Sequence, residues 1–194
     1  MQVLFYSFGK KILLSERRSA VNTKRIIFSS ITILLTVFWI CFIFSNSAES
    51  AEESSSKSES VQEIVNEVIE AVGGEGNVTE HTVRKFAHFF EFAVLAVLFT
   101  ADLLSLGLIP FPLRKNRSLL WFIPPLILSV ALATADEYLQ SFSEGRGPSA
   151  KDVGIDSLGA LCGLCLSFLL ILFVSILYSN KKTNKTKKSI KTHS

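Results

Sequence analysis

The sequence predicts an all-α integral membrane protein with four transmembrane helices and one short extracytoplasmic amphipathic helix between the first two. Of its 194 residues, 48% are hydrophobic and 19% are charged, whereas about 25% are charged in typical soluble domains. The apolar residues gather in four runs, each long enough to cross the roughly 30 Å hydrocarbon core of a bilayer. Basic residues collect before the first run, between the second and third, and after the fourth. This segregation indicates membrane topology and gives no sign of nucleic-acid binding.

The first apolar run spans residues 26–44 and follows a basic segment, residues 1–25. The run is longer than the ~7–15 residue apolar core of a signal peptide. An uncleaved membrane helix is therefore favoured over a cleaved signal. Residues 1–15 mix apolar side chains with lysine and fit either an interfacial helix or a cytoplasmic tail.

An acidic segment, residues 45–85, separates the first run from the second. Within it, residues 61–72 repeat apolar side chains at helical spacing, with acidic and amide side chains opposite. This pattern predicts an amphipathic helix that ends at the following glycine pair. The serine-rich residues 54–60 fit a loop or a frayed helix. The amphipathic helix is either a lid over the outer face or a plain surface helix.

Three further apolar runs follow, at residues 86–106, 119–139 and 153–178. They complete one membrane domain, residues 26–178, ahead of a basic tail, residues 179–194. The positive-inside rule places both termini and the loop between the second and third helices in the cytoplasm. The acidic segment and the loop before the fourth helix then lie outside. The basic residues of the cytoplasmic loop are Arg114, Lys115 and Arg117.

The three cysteines, Cys41, Cys162 and Cys165, all lie within apolar runs. Their odd number and their position argue against a disulfide framework. We expect them to be small packing residues between helices.

Ionisable side chains from three separate segments reach one membrane level in this topology. Charged groups in membrane helices are costly and commonly mark functional sites. Residues spaced by three or four share a helix face, and the glycines at 159 and 163 add a small-residue face that lets a neighbouring helix approach closely. The polar set comprises Arg84, Lys85, His88, Glu91, Asp136, Glu137, Gln140, Arg146, Asp152 and Asp156.

The polar set supports two kinds of chemistry. A histidine among carboxylates can act as general acid and base, and we assign His88, Glu91, Asp136, Glu137 and Asp152 to this candidate cluster. Substrate contacts are assigned to Arg84, Lys85, Gln140, Arg146 and Asp156, because arginine can clamp a phosphate or carboxylate.

The same groups permit two further interpretations. The carboxylates can hold a divalent cation. Alternatively, they form an ion-pair network that pins three helix ends together, in which Arg84 or Lys85 pairs with Glu91 or Asp136, and Arg146 pairs with Asp152. No glycine-rich phosphate loop, HExxH motif or nucleophile elbow is present, so no further cofactor is indicated and the chain is not assigned as an enzyme.

Four motifs, in their order and spacing, resemble the VanZ-like membrane proteins. They are RKxAHFxE at residues 84–91, DExxQxF at residues 136–142, Arg146 in a glycine-flanked loop, and DxxxDxxG at residues 152–159. The resemblance implies a bacterial cell-membrane protein, and the founding member is associated with resistance to the glycopeptide teicoplanin. The family supplies no established reaction.

Two positions depart from the family pattern. Phe92 stands where a tyrosine is expected, which removes a hydroxyl. Asp156 stands where asparagine is frequent, which keeps an oxygen acceptor and adds a carboxylate. If either polar group is essential, these departures alter activity or ligand choice.

We therefore expect a membrane protein with a polar pocket at the extracytoplasmic face. It is expected to bind or modify a lipid-linked or cell-wall component, with membrane lipid and a lipid-linked cell-wall precursor as partners, and thereby to lower teicoplanin susceptibility. The first alternative is a non-enzymatic scaffold or partner protein. The second is a proton-coupled small transporter, which is weaker because the charges collect at one face instead of forming a path across. The sequence leaves the oligomeric state open.

Overall fold

The computed structural model describes residues 2–113 and 119–191, with side chains over 23–113 and 119–183. Within these ranges the fold is all helical, as predicted. Arg114, Lys115 and Arg117 lie outside the described residues. The helices are α1 (Gln2–Ser47), α2 (Ala51–Ala71), α3 (Glu80–Ser105), α4 (Ile123–Gln140, preceded by a 3₁₀ turn at Leu119–Phe122) and α5 (Ala150–Lys191).

Four of these helices contain segments long and apolar enough to cross a membrane, which confirms that part of the prediction. The segments are Thr23–Ser47, Glu80–Ser105, Leu119–Gln140 and Ala150–Thr183. The helices α1 and α5 extend past the predicted runs into the basic segments at the two ends of the chain.

The helix α2 starts at a capping box. Ser50 accepts a hydrogen bond from the Glu53 amide, and the Glu53 carboxylate accepts one from the Ser50 amide, a reciprocal arrangement that stabilises a helix N-terminus. The serine-rich residues 54–60 therefore continue a helix and form no loop. Gly73 adopts φ of 83° directly after the helix, a conformation that favours glycine.

The helix α3 lies at the centre of the bundle. Its Phe92 and Leu95 pack with Ile43 of α1 and Ala133 of α4 in one apolar cluster. Its Ala96 packs against α5 and the 3₁₀ turn in a second cluster. Phe92, one of the two departures from the family pattern, is therefore a fully buried core side chain.

Two glycines of α5 allow it to lie directly against α3. A Cβ atom built on Gly159 would overlap the carbonyl oxygen of Phe89, and one on Gly163 would overlap that of Ala93. The predicted small-residue face thus brings the two backbones into contact, as expected for such a pattern. This contact holds the first turns of α5 beside His88.

The cysteines do not occupy the packing positions that we expected. All three are exposed and unpaired. Cys162 and Cys165 are displaced around α5 from the inner face, which Gly159, Gly163 and Ser167 fill.

Asp102 is buried at the opposite end of α3 from His88. Its Oδ2 accepts a hydrogen bond from the Thr36 hydroxyl at 2.7 Å. The helix α1 covers this carboxylate. The buried apolar side chains Phe92, Leu95 and Ala96 lie between Asp102 and His88 along α3.

Candidate functional site

The N-terminal turns of α3, the C-terminal turns of α4 and the first turns of α5 bring one histidine and two aspartates together. The Nδ1 atom of His88 lies 4.0 Å from Asp136 Oδ2 and 3.9 Å from Asp156 Oδ1. Both aspartates are fully buried, with 0% exposure. One potential ligand atom from each of the three side chains falls within 4.8 Å of the others. We call these residues the buried triad.

The buried triad is short of hydrogen-bond partners among the residues described. His88 Nδ1, Asp136 Oδ1 and both carboxylate oxygens of Asp156 are buried without a bond. The remaining carboxylate oxygen of Asp136 accepts from Gln140 Nε2 at 2.9 Å. Most buried polar atoms in proteins have a partner, so this concentration of unpaired atoms at one point is unusual.

The two glutamates of the predicted set form hydrogen bonds to other segments of the chain. The Asn46 side-chain amide donates to Glu91 Oε1 at 2.8 Å. The Ser149 backbone amide donates to Glu137 Oε1 at 2.6 Å. Glu91 therefore faces α1, whereas Glu137 holds the chain just before α5.

The basic residues form ion pairs that differ from the predicted ones. Lys85 forms an ion pair with Asp152, and Arg84 lies 3.7 Å from Glu80, one turn earlier on α3. The pairings of Arg84 or Lys85 with Glu91 or Asp136, and of Arg146 with Asp152, do not occur. The helix α5 presents Asp152 to Lys85, whereas α1 covers Glu91.

Arg146 lies in the loop between α4 and α5 and is partly buried. Its guanidinium donates to the backbone carbonyl of Ser47 at 3.4 Å. Burial lowers the pKa of the Arg146 side chain, and the positive charge of Arg84 lowers it further. An anion in this position would offset both effects, because it stabilises the charged form of arginine.

A polar cavity of about 160 Å³ opens above the buried triad. A single water needs only about 10–15 Å³ of such volume, so a phosphate- or carboxylate-sized group can enter. The cavity contacts His88, which is therefore the one residue shared between the cavity and the triad. The lining residues are Ala51, Arg84, Lys85, His88, Gln140, Gly145, Arg146, Gly147 and Asp152.

The predicted site residues thus divide into two layers. The cavity is lined by six of them: Arg84, Lys85, His88, Gln140, Arg146 and Asp152. The other four lie outside the lining: Glu91, Asp136, Glu137 and Asp156. The assigned roles remain predictions. The first layer can contact a ligand that enters the cavity, whereas the second layer is buried behind it.

Two residues at the end of α1 contribute to the site but were not among the residues predicted from the sequence. Ser47 is fully buried, accepts a bond from Gln140 at 3.4 Å, and accepts through its carbonyl from Ser143 and Arg146. Asn46 fixes Glu91. Both follow directly after the first apolar run, where small polar residues ordinarily indicate only a helix boundary.

A second, larger cavity of about 390 Å³ lies between α4 and α5, near the 3₁₀ turn. Its lining consists of leucine, isoleucine and phenylalanine side chains with Cys165. It contains none of the predicted site residues and offers no group to recognise a charged ligand.

A family model described as VanZ/LLP1 matches residues 32–174. The match covers most of the chain, including every element that contributes to the cavity and the buried triad, and it confirms the resemblance carried by the four motifs. No curated protein and no solved structure matches the chain.

Proposed function

The chain belongs to the VanZ/LLP1 family of membrane proteins, and from this we propose that it binds an anionic group of a cell-envelope component in its polar cavity. The observation that carries the proposal is the lining of that cavity by Arg84, Lys85 and Arg146. Guanidinium and ammonium groups are the usual partners of phosphate and carboxylate. Lipid-linked and cell-wall components that carry such groups are the proposed ligands.

Arg146 is the proposed anchor for the anion. Arg84 and Lys85 already have carboxylate partners, Glu80 and Asp152. A guanidinium has five N–H donors, and the described bond of Arg146 to a carbonyl oxygen at 3.4 Å uses one of them. The remaining donors can bind a ligand without breaking an ion pair.

The cavity is proposed to face the extracytoplasmic side of a bacterial cell membrane. The basic residues in the N-terminal part of α1, between α3 and α4, and at the end of α5 favour a cytoplasmic location for both termini. Arg84 and Lys85 then lie outside, against the usual bias. Their contribution to the cavity gives them a role there that does not depend on topology.

Modification of the ligand, beyond binding, would require His88. It lines the cavity and touches the layer of carboxylates behind it. A histidine in this position can transfer a proton to or from a bound group. Binding of an envelope component by this protein would reduce the access of teicoplanin to the same component.

The proposal predicts that Arg146→Gln and His88→Ala abolish protection against teicoplanin. Each removes a cavity-lining group that would contact the ligand, and neither changes the apolar core. Susceptibility is measured in a strain whose own copy is deleted and complemented with each variant at equal membrane abundance. Lys151→Ala is the matched control, because Lys151 is exposed on the first turn of α5 and does not line the cavity. Wild-type protection by both cavity variants would contradict the proposal.

The scaffold alternative is favoured by one contact, the ion pair between Lys85 and Asp152 that joins α3 to α5. If this pair serves only to hold the helices, Lys85→Asp lowers protein abundance and Asp152→Lys combined with it restores both abundance and protection. If the cavity binds an anion, the double variant restores abundance but gives less protection than the wild type, because the ammonium group has moved from α3 to α5 and a carboxylate takes its former place in the lining. Western blotting of membranes and teicoplanin susceptibility of the same cells distinguish the two.

A further inference from the structure

We propose that the buried triad of His88, Asp136 and Asp156 binds one divalent transition-metal ion beneath the polar cavity. The three side chains come from α3, α4 and α5, so the ion would join three helices. The first support is distance. Metal–ligand bonds of about 2.0–2.2 Å place two ligands of one ion at most about 4.4 Å apart. His88 Nδ1 lies 4.0 and 3.9 Å from the two carboxylates, and the three ligand atoms lie within 4.8 Å of one another, so a small shift of the carboxylates brings all three into coordination distance.

The second support is the set of unpaired atoms. Asp156 has 0% exposure and neither of its oxygens forms a hydrogen bond to the described residues. His88 Nδ1 and Asp136 Oδ1 are unpaired in the same way. A carboxylate buried without a partner is strongly unfavourable, whereas coordination to one cation satisfies all three side chains at once.

The third support is charge. Lys85 and Arg84 are paired with Asp152 and Glu80. The carboxylates of Glu91, Asp136, Glu137 and Asp156 have no ion pair with a lysine or arginine in the described part of the chain, and Arg146 is the remaining neighbouring cation. A dication offsets this excess of acid. Protons shared between the carboxyl groups would also reduce this excess negative charge, so metal occupancy must be measured directly.

The donor set selects the class of metal. One imidazole nitrogen with two carboxylate oxygens suits Zn²⁺, Mn²⁺ or Fe²⁺, whereas Mg²⁺ and Ca²⁺ prefer oxygen ligands alone. Three protein ligands also leave a coordination position for water or an incoming group, as at catalytic zinc sites. Because His88 also lines the cavity, an anion bound there would be able to approach the ion. That role rests on the proposed function, whereas metal binding does not.

The test is metal binding by the full-length chain purified in detergent. After dialysis against a chelator, the protein is loaded with Zn²⁺, Mn²⁺ or Co²⁺, and bound metal is counted by mass spectrometry. One ion per chain is expected for the wild type, with a visible absorption band for Co²⁺. Loss of an outer-shell group typically weakens metal binding 10–100-fold, so His88→Ala and Asp156→Ala are expected to weaken it by at least about 100-fold.

The control is Asp102→Asn, which changes a carboxylate of similar burial on α3 at the far end of the helix. It should bind metal like the wild type. Asp156→Asn keeps the shape of the side chain and covers the possibility that an alanine variant fails to fold; it should bind more weakly than Asp102→Asn. Failure of the wild type to hold metal above the level of the His88→Ala variant overturns the proposal. Because no envelope component is present, this result is independent of whether the cavity binds one.

Discussion

Replacing Gly159 with alanine is expected to destabilise the helix bundle by about 1–3 kcal/mol, the range for overpacked sites. The new Cβ atom would overlap the carbonyl oxygen of Phe89. That oxygen belongs to the backbone of α3 and cannot rotate away, so the two helices must separate. Gly163, one turn further along α5, meets the Ala93 carbonyl in the same way, and the two substitutions together should cost more than either alone.

The control for this experiment lies on the same helix. A Cβ atom on Gly154 meets nothing within 4 Å, and alanine is favoured over glycine in a helix interior by about 1 kcal/mol. Gly154→Ala should therefore leave the Tm unchanged or raise it, when thermal unfolding is followed by tryptophan fluorescence in detergent. Equal effects of Gly154→Ala and Gly159→Ala would show that helix contact at Gly159 is unimportant.

The expected consequence extends to the site. Phe89 is the neighbour of His88 in the sequence, and Asp156 lies one turn before Gly159 on α5. Separation of α3 from α5 at Gly159 therefore moves His88 away from Asp156. We expect Gly159→Ala to weaken metal binding by the buried triad as well as lowering the Tm.

The membrane architecture could be predicted because its determinants are local. Length and hydropathy identify a spanning helix from its own residues. The spacing of Gly159 and Gly163 identifies a contact face in the same way. No partner elsewhere in the chain has to be known for either inference.

The contacts of the site could not be predicted in this way, because they depend on how each helix is rotated against its neighbours. Lys85 and Asp152 pair across two helices that are far apart in the sequence. Asp102 is buried by α1, whose Thr36 precedes it by 66 residues. Ser47 reaches the site only because α1 ends beside the loop that carries Arg146. The motifs nevertheless named all three members of the buried triad, since each lies at a fixed place within its motif.

The two departures from the family pattern have different structural settings. Phe92 belongs to the apolar cluster with Ile43 and Leu95, where an aromatic ring fills space. Asp156 belongs to the buried triad, where it contributes a carboxylate in place of the amide that the resemblance led us to expect. The residue at position 156 therefore affects the proposed metal binding and the number of acidic groups in the triad.

Asp156→Asn is expected to stabilise the metal-free protein by about 1–3 kcal/mol, because an amide cannot ionise and therefore avoids the cost of an unpaired carboxylate in a buried acidic set. Its side chain has the shape of aspartate and can still offer one oxygen. In the presence of saturating Zn²⁺ the order should reverse, because the wild type binds the ion more tightly and binding to the folded state raises its stability. The measurement is the Tm of both proteins with chelator and with Zn²⁺.

Asp152, one turn before Asp156 on α5, provides a control for which the opposite change in Tm is expected. Asp152 is paired with Lys85, so Asp152→Asn leaves a partly buried ammonium without its partner and should lower the Tm with or without metal. A structural ion-pair network predicts that both substitutions destabilise the protein in chelator, since each removes a charge that holds helices together. Stabilisation by Asp156→Asn together with destabilisation by Asp152→Asn would instead mean that the carboxylate of Asp156 is retained at the expense of stability. Such a cost is expected of a residue that serves a ligand.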